Sequence, residues 1–231
     1  MTEIKTRLQS LHNTINQAEM QAKRPENSVQ LLAVSKTWSA EILRDAAEAG
    51  QSSFGENYLQ EALIKIETLK ALNLQWHFIG PIQSNKTKDI AHYFDWVQSI
   101  DRIKIAQRLN NQRPNELPAL NVCIQVNIDD EKSKAGISLD DVESLAQEIM
   151  QLDRLVLRGL MVIPTKTDDI SLQTSAFQRA HQLFNSLQRQ YSTIDTLSMG
   201  MTADMNSAIA QGSTMIRVGT GIFGQRHTRP T

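Results

Sequence analysis

An α/β fold, a single (β/α)8 TIM-type barrel preceded by an extra N-terminal helix, is predicted by three features of the chain. Short apolar runs bounded by polar residues alternate with segments of three-and-four hydrophobic spacing along nearly all of the 231 residues. The runs number eight, the count at which a parallel sheet closes and leaves no edge. No low-complexity tract and no Pro/Gly-rich linker interrupts them, so one domain over residues 1–231 is expected. A doubly wound open sheet would show the same alternation, and the count favours closure.

Ile4, Leu8, Leu11, Ile15 and Ala18 give the first helix its apolar face. Leu31 to Lys36 reads as the first strand, followed by a helix over 39–49, a strand over 53–56, a helix over 57–71 and a strand over 76–80. A helix near 86–92, a strand over 96–100, a helix over 102–110 and a long strand over 120–128 continue the series. Ser138 is expected to cap a helix reaching Met150. Leu155 to Ile163 forms the sixth strand. Thr174 to Gln190 is a helix with Phe177, Ala180, Phe184 and Leu187 on one face. Residues 196–199, 203–211 and 215–218 complete the pattern as strand, short helix and strand.

Lys and Arg total 24 against 25 Asp and Glu, so neither nucleic acid nor an anionic membrane is favoured as the main partner. A small molecule fits better. The single cysteine, Cys123, lies in an apolar run and reads as core; it excludes an intrachain disulfide and a cysteine-rich zinc site. No hydrophobic block suits a signal peptide or a membrane helix, so a cytoplasmic protein is expected, as a monomer. His77 lies between Trp76 and Phe78 without a partner at ligand spacing; it reads as structural, and no metal site is expected.

In a parallel barrel the strand carboxyl ends converge on one mouth. The residues there are Lys36, Glu56, Asn57, His77, Gly80, Ser99, Asn127, Ser198, Gly200, Arg217, Gly219 and Thr220. Alone, Lys36 is more simply a rim lysine whose ammonium reaches water. The small residues after strands seven and eight let backbone N–H groups approach an anion, and that corner of such barrels commonly holds phosphate. Phosphate anchor, Arg217 and Lys36 together suit pyridoxal 5'-phosphate (PLP), with Lys36 as the Schiff-base amine. A free lysine is only about 0.04 per cent neutral at pH 7, and desolvation with a neighbouring arginine would raise that fraction. An arginine beside the ring nitrogen disfavours its protonation and weakens the electron sink. Gly219 to Gly224 also fits G-x-G-x-x-G, but too few residues follow for the rest of a dinucleotide-binding unit.

The motifs Ala33-Val34-Ser35-Lys36-Thr37, Phe54-Gly55-Glu56-Asn57-Tyr58, Trp76-His77-Phe78-Ile79-Gly80, Gln83-Ser84-Asn85-Lys86, Arg158-Gly159-Leu160-Met161, Leu197-Ser198-Met199-Gly200-Met201 and Arg217-Val218-Gly219-Thr220 occur in this order. Together they resemble the pyridoxal phosphate homeostasis protein family, whose barrel is that of the alanine racemase N-terminal domain. The resemblance implies Lys36 as the cofactor lysine, Asn57 near the cofactor, Arg217 against the pyridine nitrogen, and Ser198, Gly200, Gly219 and Thr220 around the phosphate. Trp38 stands where many relatives have lysine, Thr202 where serine is usual and Gly221 where alanine is usual. Lys132 and Lys134 match a lysine-bearing family segment; a solvated loop is the simpler reading, and handing on the cofactor is a hypothesis.

The resemblance further implies a PLP-binding protein acting in intracellular vitamin B6 homeostasis, with PLP-dependent apoenzymes as candidate recipients and no established catalytic activity. The alternative is a PLP-dependent amino-acid racemase or decarboxylase of weak activity. Two-base racemases of this fold set a tyrosine from a partner's second domain opposite the lysine, and here the chain is expected to end with the barrel. Only Tyr58, Tyr93 and Tyr191 are available, and a mouth without a lid stays wet. No residue is therefore assigned as catalytic.

Overall fold

In the computed structural model, which describes residues 2–131 and 134–225, the strands close on one another in sequence order. They are β1 (Gln30–Val34), β2 (Ser53–Glu56), β3 (Gln75–Phe78), β4 (Trp96–Ile100), β5 (Leu120–Val126), β6 (Leu155–Val162), β7 (Thr196–Ser198) and β8 (Met215–Val218). Every pairing is parallel, and β1 closes on β8 with Leu32 opposite Arg217.

The helices α1 (Glu3–Gln21), α2 (Ala40–Glu48), α3 (Leu59–Thr68), α4 (Thr87–Tyr93), α5 (Ile103–Gln112), α6 (Val142–Ile149), α7 (Ile170–Gln190), α8 (Met205–Ala210) and α9 (Thr220–Phe223) form the outer layer. The five apolar positions that predict α1 are buried, and the helix lies against α8, α9 and α2. Glu19, buried at its end, accepts from the Val29 N–H at 2.7 Å and the Asn27 N–H at 3.1 Å, which fixes the turn into β1. Most of the core lies between barrel and helices, where the outward residues of near-continuously apolar strands meet the helix faces. Inside the barrel, Trp96, Cys123 and Met161 from β4, β5 and β6 pack together, and the His77 ring stacks on Trp96 at 5.1 Å.

Several boundaries differ from expectation. α7 starts at Ile170 because the Asp169 carboxylate accepts from the N–H groups of Ser171 and Leu172 at 2.8 and 3.3 Å. Its first turn escapes a search for apolar spacing, since Ile170 and Leu172 face outward. Ser138 does not cap a helix N–H: its hydroxyl donates to Asp141 Oδ2 at 2.6 Å, and a 3-10 turn over Leu139–Asp141 precedes α6. α9 was not expected; it occupies the G-x-G-x-x-G stretch as a single helical turn.

Candidate functional site at the barrel mouth

β1 ends at Val34, and the Ser35 N–H makes one further ladder-like bond to the Gly55 carbonyl at 3.0 Å before the chain turns. Thr37, a β-branched residue, holds a left-handed φ of 70°; its N–H donates to Glu61 Oε2 at 3.1 Å and its hydroxyl to the Lys36 carbonyl at 2.5 Å. This constrained turn delivers Lys36, partly buried, to a cavity of about 530 Å³ at the carboxyl ends of the strands. Such a volume suits a small ligand.

Of the residues predicted for the site, Lys36, Asn57, Arg217, Gly219 and Thr220 line this cavity together with Gly80. The Asn57 Oδ1 atom is buried and has no hydrogen-bond partner. A Cβ on Gly80 would stand 2.5 Å from the Asn57 carbonyl oxygen, so only glycine lets β3 close on Asn57. Among the described residues no acceptor pairs with the backbone N–H groups of Gly219, Thr220 or Gly221.

Arg217 is 4 % exposed. It donates to the Ser198 carbonyl and hydroxyl oxygens, each at 2.7 Å, and to the Val162 carbonyl at 2.9 Å. Burial lowers its pKa to about 10, which leaves the guanidinium charged at neutral pH.

Other strand-end residues do not face the cavity. Glu56 points outward beneath α3, where its Oε1 accepts from the Ser35 hydroxyl at 2.6 Å and the Lys65 ammonium at 2.7 Å. Burial pushes its carboxyl above the usual range, against the pull of Lys65. Ser99 donates to the Gly80 carbonyl at 2.6 Å, and Asn127 closes its own loop onto the Glu131 backbone. His77 lies inside the barrel, where burial takes its pKa to about 3.

Ser198 is fully buried beneath Arg217, and neither it nor Gly200 is among the cavity-lining residues. Gly200 has a φ of 98°, and a Cβ there would meet the Ala208 Cβ at 2.6 Å, so this position serves the packing of α8 on the barrel. Buried Cys123 has its thiol pushed up by desolvation and takes no part. Lys132 lies outside the described residues. Lys134 donates to Thr165 Oγ1 at 3.0 Å and pairs with Glu131 at 3.2 Å on the loop surface.

Sequence reasoning gave Trp38 and Thr202 no binding role, yet both line the cavity, and Trp38 packs its ring on Phe223 at 5.7 Å. Gln125 was missed, although a glutamine inside the apolar run of β5 was a legible signal.

A lysine, an arginine and unpartnered backbone donors at the mouth of a parallel barrel define the class, and the sequence profile of the alanine racemase N-terminal domain family matches residues 7–227. The pyridoxal phosphate homeostasis protein of Pasteurella multocida is 54% identical over 227 residues, covering 96% of this chain and 97% of the relative. That of Escherichia coli K12 is 48% identical over 229 residues, covering 98% of each. The structure of PipY from Synechococcus elongatus with PLP bound matches at a TM-score of 0.82 and 36% identity, over 96% of this chain and 100% of PipY. An alanine racemase of Clostridium difficile shares the fold alone, with a TM-score of 0.74 at 13% identity over 97% of this chain and 57% of that one. The chain belongs to the alanine racemase N-terminal domain family, in its branch of pyridoxal phosphate homeostasis proteins.

Proposed function

We propose that the cavity holds PLP, attached covalently through Lys36, and that the protein keeps and supplies this cofactor in vitamin B6 homeostasis rather than turning over an amino acid. The names of the relatives and the PLP bound to PipY support this reading. So do the residues present: a charged guanidinium suits an acceptor ring nitrogen, Asn57 offers an unsatisfied carboxamide to a ring substituent, and the N–H groups of Gly219, Thr220 and Gly221 suit phosphate oxygens. When bound, PLP supplies an aldehyde that condenses with amines and a ring that withdraws electrons.

The observation that carries the supply role is the poverty of the cavity in proton-transfer groups. Among the described lining residues only Lys36 and Arg217 are ionisable, and a buried arginine does not give up its proton near neutral pH. One amine without a second acid or base suits reversible attachment better than proton exchange on two faces of a substrate. Tyr58, at 52% exposure, is not a lining residue. Adding PLP to the purified protein should produce a visible absorption band that borohydride abolishes, that Lys36→Ala lacks, and that decays as a PLP-free apoenzyme gains activity. No band in the native protein would end the reading, and steady amino-acid turnover would replace supply with catalysis.

A further inference from the structure

Below the cavity, side chains from four strands join in a line of hydrogen bonds that reaches the opposite end of the barrel. Arg217 on β8 donates to the Ser198 hydroxyl on β7 at 2.7 Å, and Ser198 donates across the barrel to Gln98 Oε1 on β4 at 2.7 Å. Gln98 Nε2 meets His77 Nδ1 on β3 at 3.0 Å and Met215 Sδ at 3.1 Å, and His77 Nε2 meets Gln75 Oε1 at 2.9 Å. Ser198, Gln98 and His77 are all 0% exposed.

Arginine only donates, so the Ser198 oxygen accepts from it, and with the Gln98 amide oriented Oε1 towards Ser198 the serine proton goes to Gln98. The Gln98 amide group then turns its N–H donors to His77 and Met215. The imidazole accepts at Nδ1 and carries its proton on Nε2, where Gln75 accepts it. Burial keeps the ring neutral, with a pKa of about 3, so it can accept. Each member is satisfied only if all the others keep their orientation, which is how a buried polar network selects one rotamer.

We propose that Ser198, Gln98 and His77 are positioning residues that lock the Arg217 guanidinium against the cavity, and that Ser198 serves ligand binding through Arg217 rather than by touching phosphate. The ligand's identity rests on the function proposed above. The test compares PLP with pyridoxal, which lacks the phosphate, as probes of the native protein and of Ser198→Ala and Gln98→Leu, with thermal unfolding as the check on folding. Both substitutions should weaken both probes by the same factor, roughly tenfold for one buried bond to a charged group. The double variant should be no weaker than the worse single one, and Ser198→Thr should restore binding. Loss confined to PLP in Ser198→Ala would make Ser198 a phosphate contact and overturn the proposal, as would unchanged binding in Gln98→Leu. A ligand-free arm reads the His77 tautomer in the native protein by nitrogen-15 NMR. A proton on Nε2 supports the line, and one on Nδ1 breaks it even if every variant unfolds. If the native protein takes up neither probe, the PLP reading fails while the tautomer still decides whether the line exists.

Discussion

Three cations are buried in this barrel to nearly the same depth, Arg113 at 6% exposure, Lys65 at 5% and Arg217 at 4%, and the last two have opposite environments. Lys65, on α3, reaches the outside of the barrel and finds the Glu56 carboxylate at 2.7 Å and the Ser35 carbonyl at 2.9 Å. Arg217, inside, has only neutral acceptors, and among the described residues no carboxylate lies within ion-pair distance. A buried charge whose counter-ion belongs to the fold is a structural joint, here fastening α3 to the turn before Lys36. A buried charge held by neutral groups keeps most of its field for whatever enters the cavity.

The contrast is broken most strongly at Lys65. Lys65→Met strands the Glu56 carboxylate and should destabilise the protein by about 3–5 kcal/mol in chemical denaturation at pH 8. Its sign with pH is fixed, because burial already raises the Glu56 pKa and loss of the ammonium raises it further. Stability is thus retained at pH values below the unfolded-state pKa and lost as pH rises through the folded one, so the penalty should shrink on acidification. A penalty equal at pH 5 and pH 8 would contradict the buried pair. Arg217→Met should cost less stability, about 1–3 kcal/mol for the acceptors left at Ser198 and Val162, but should weaken PLP uptake roughly tenfold or more. Equal loss of stability in the two variants would erase the distinction between joint and binding charge.

At neutral pH the smallest expected effect lies at His77. Its folded pKa of about 3 is below the ordinary value of 6.5, so the unfolded chain takes up a proton first as pH falls. The stability contributed by the neutral ring is present above pH 6.5 and lost towards pH 3. His77→Gln, which can still accept from Gln98, should remove a slope of up to about 1.4 kcal/mol per pH unit in that window. Identical acid-denaturation profiles for the two proteins would mean that the ring is not held neutral.

The barrel was legible because its signals are local. Five apolar positions in α1 and the short apolar runs each follow from spacing within one segment. The direction of a polar side chain at a strand end was not legible. Glu56 and Asn57 are neighbours in sequence, and one faces α3 while the other faces the cavity. Strands apolar on both faces give no alternation from which to choose. The hydrogen bond made by the Ser198 hydroxyl was not legible either; its partner Gln98 is 100 residues away and on no adjacent strand. Gln98 and Gln125, amides within apolar strands, were the visible hints that the interior is partly polar.

On the proposed function, Lys36 carries the cofactor. Treating the PLP-loaded protein with borohydride and mapping its peptides by mass spectrometry tests this directly. Reduced pyridoxyl phosphate should be found on Lys36, with Lys65, Lys132 and Lys134 unmodified. Label spread over surface lysines, or undiminished label in Lys36→Ala, would contradict the account.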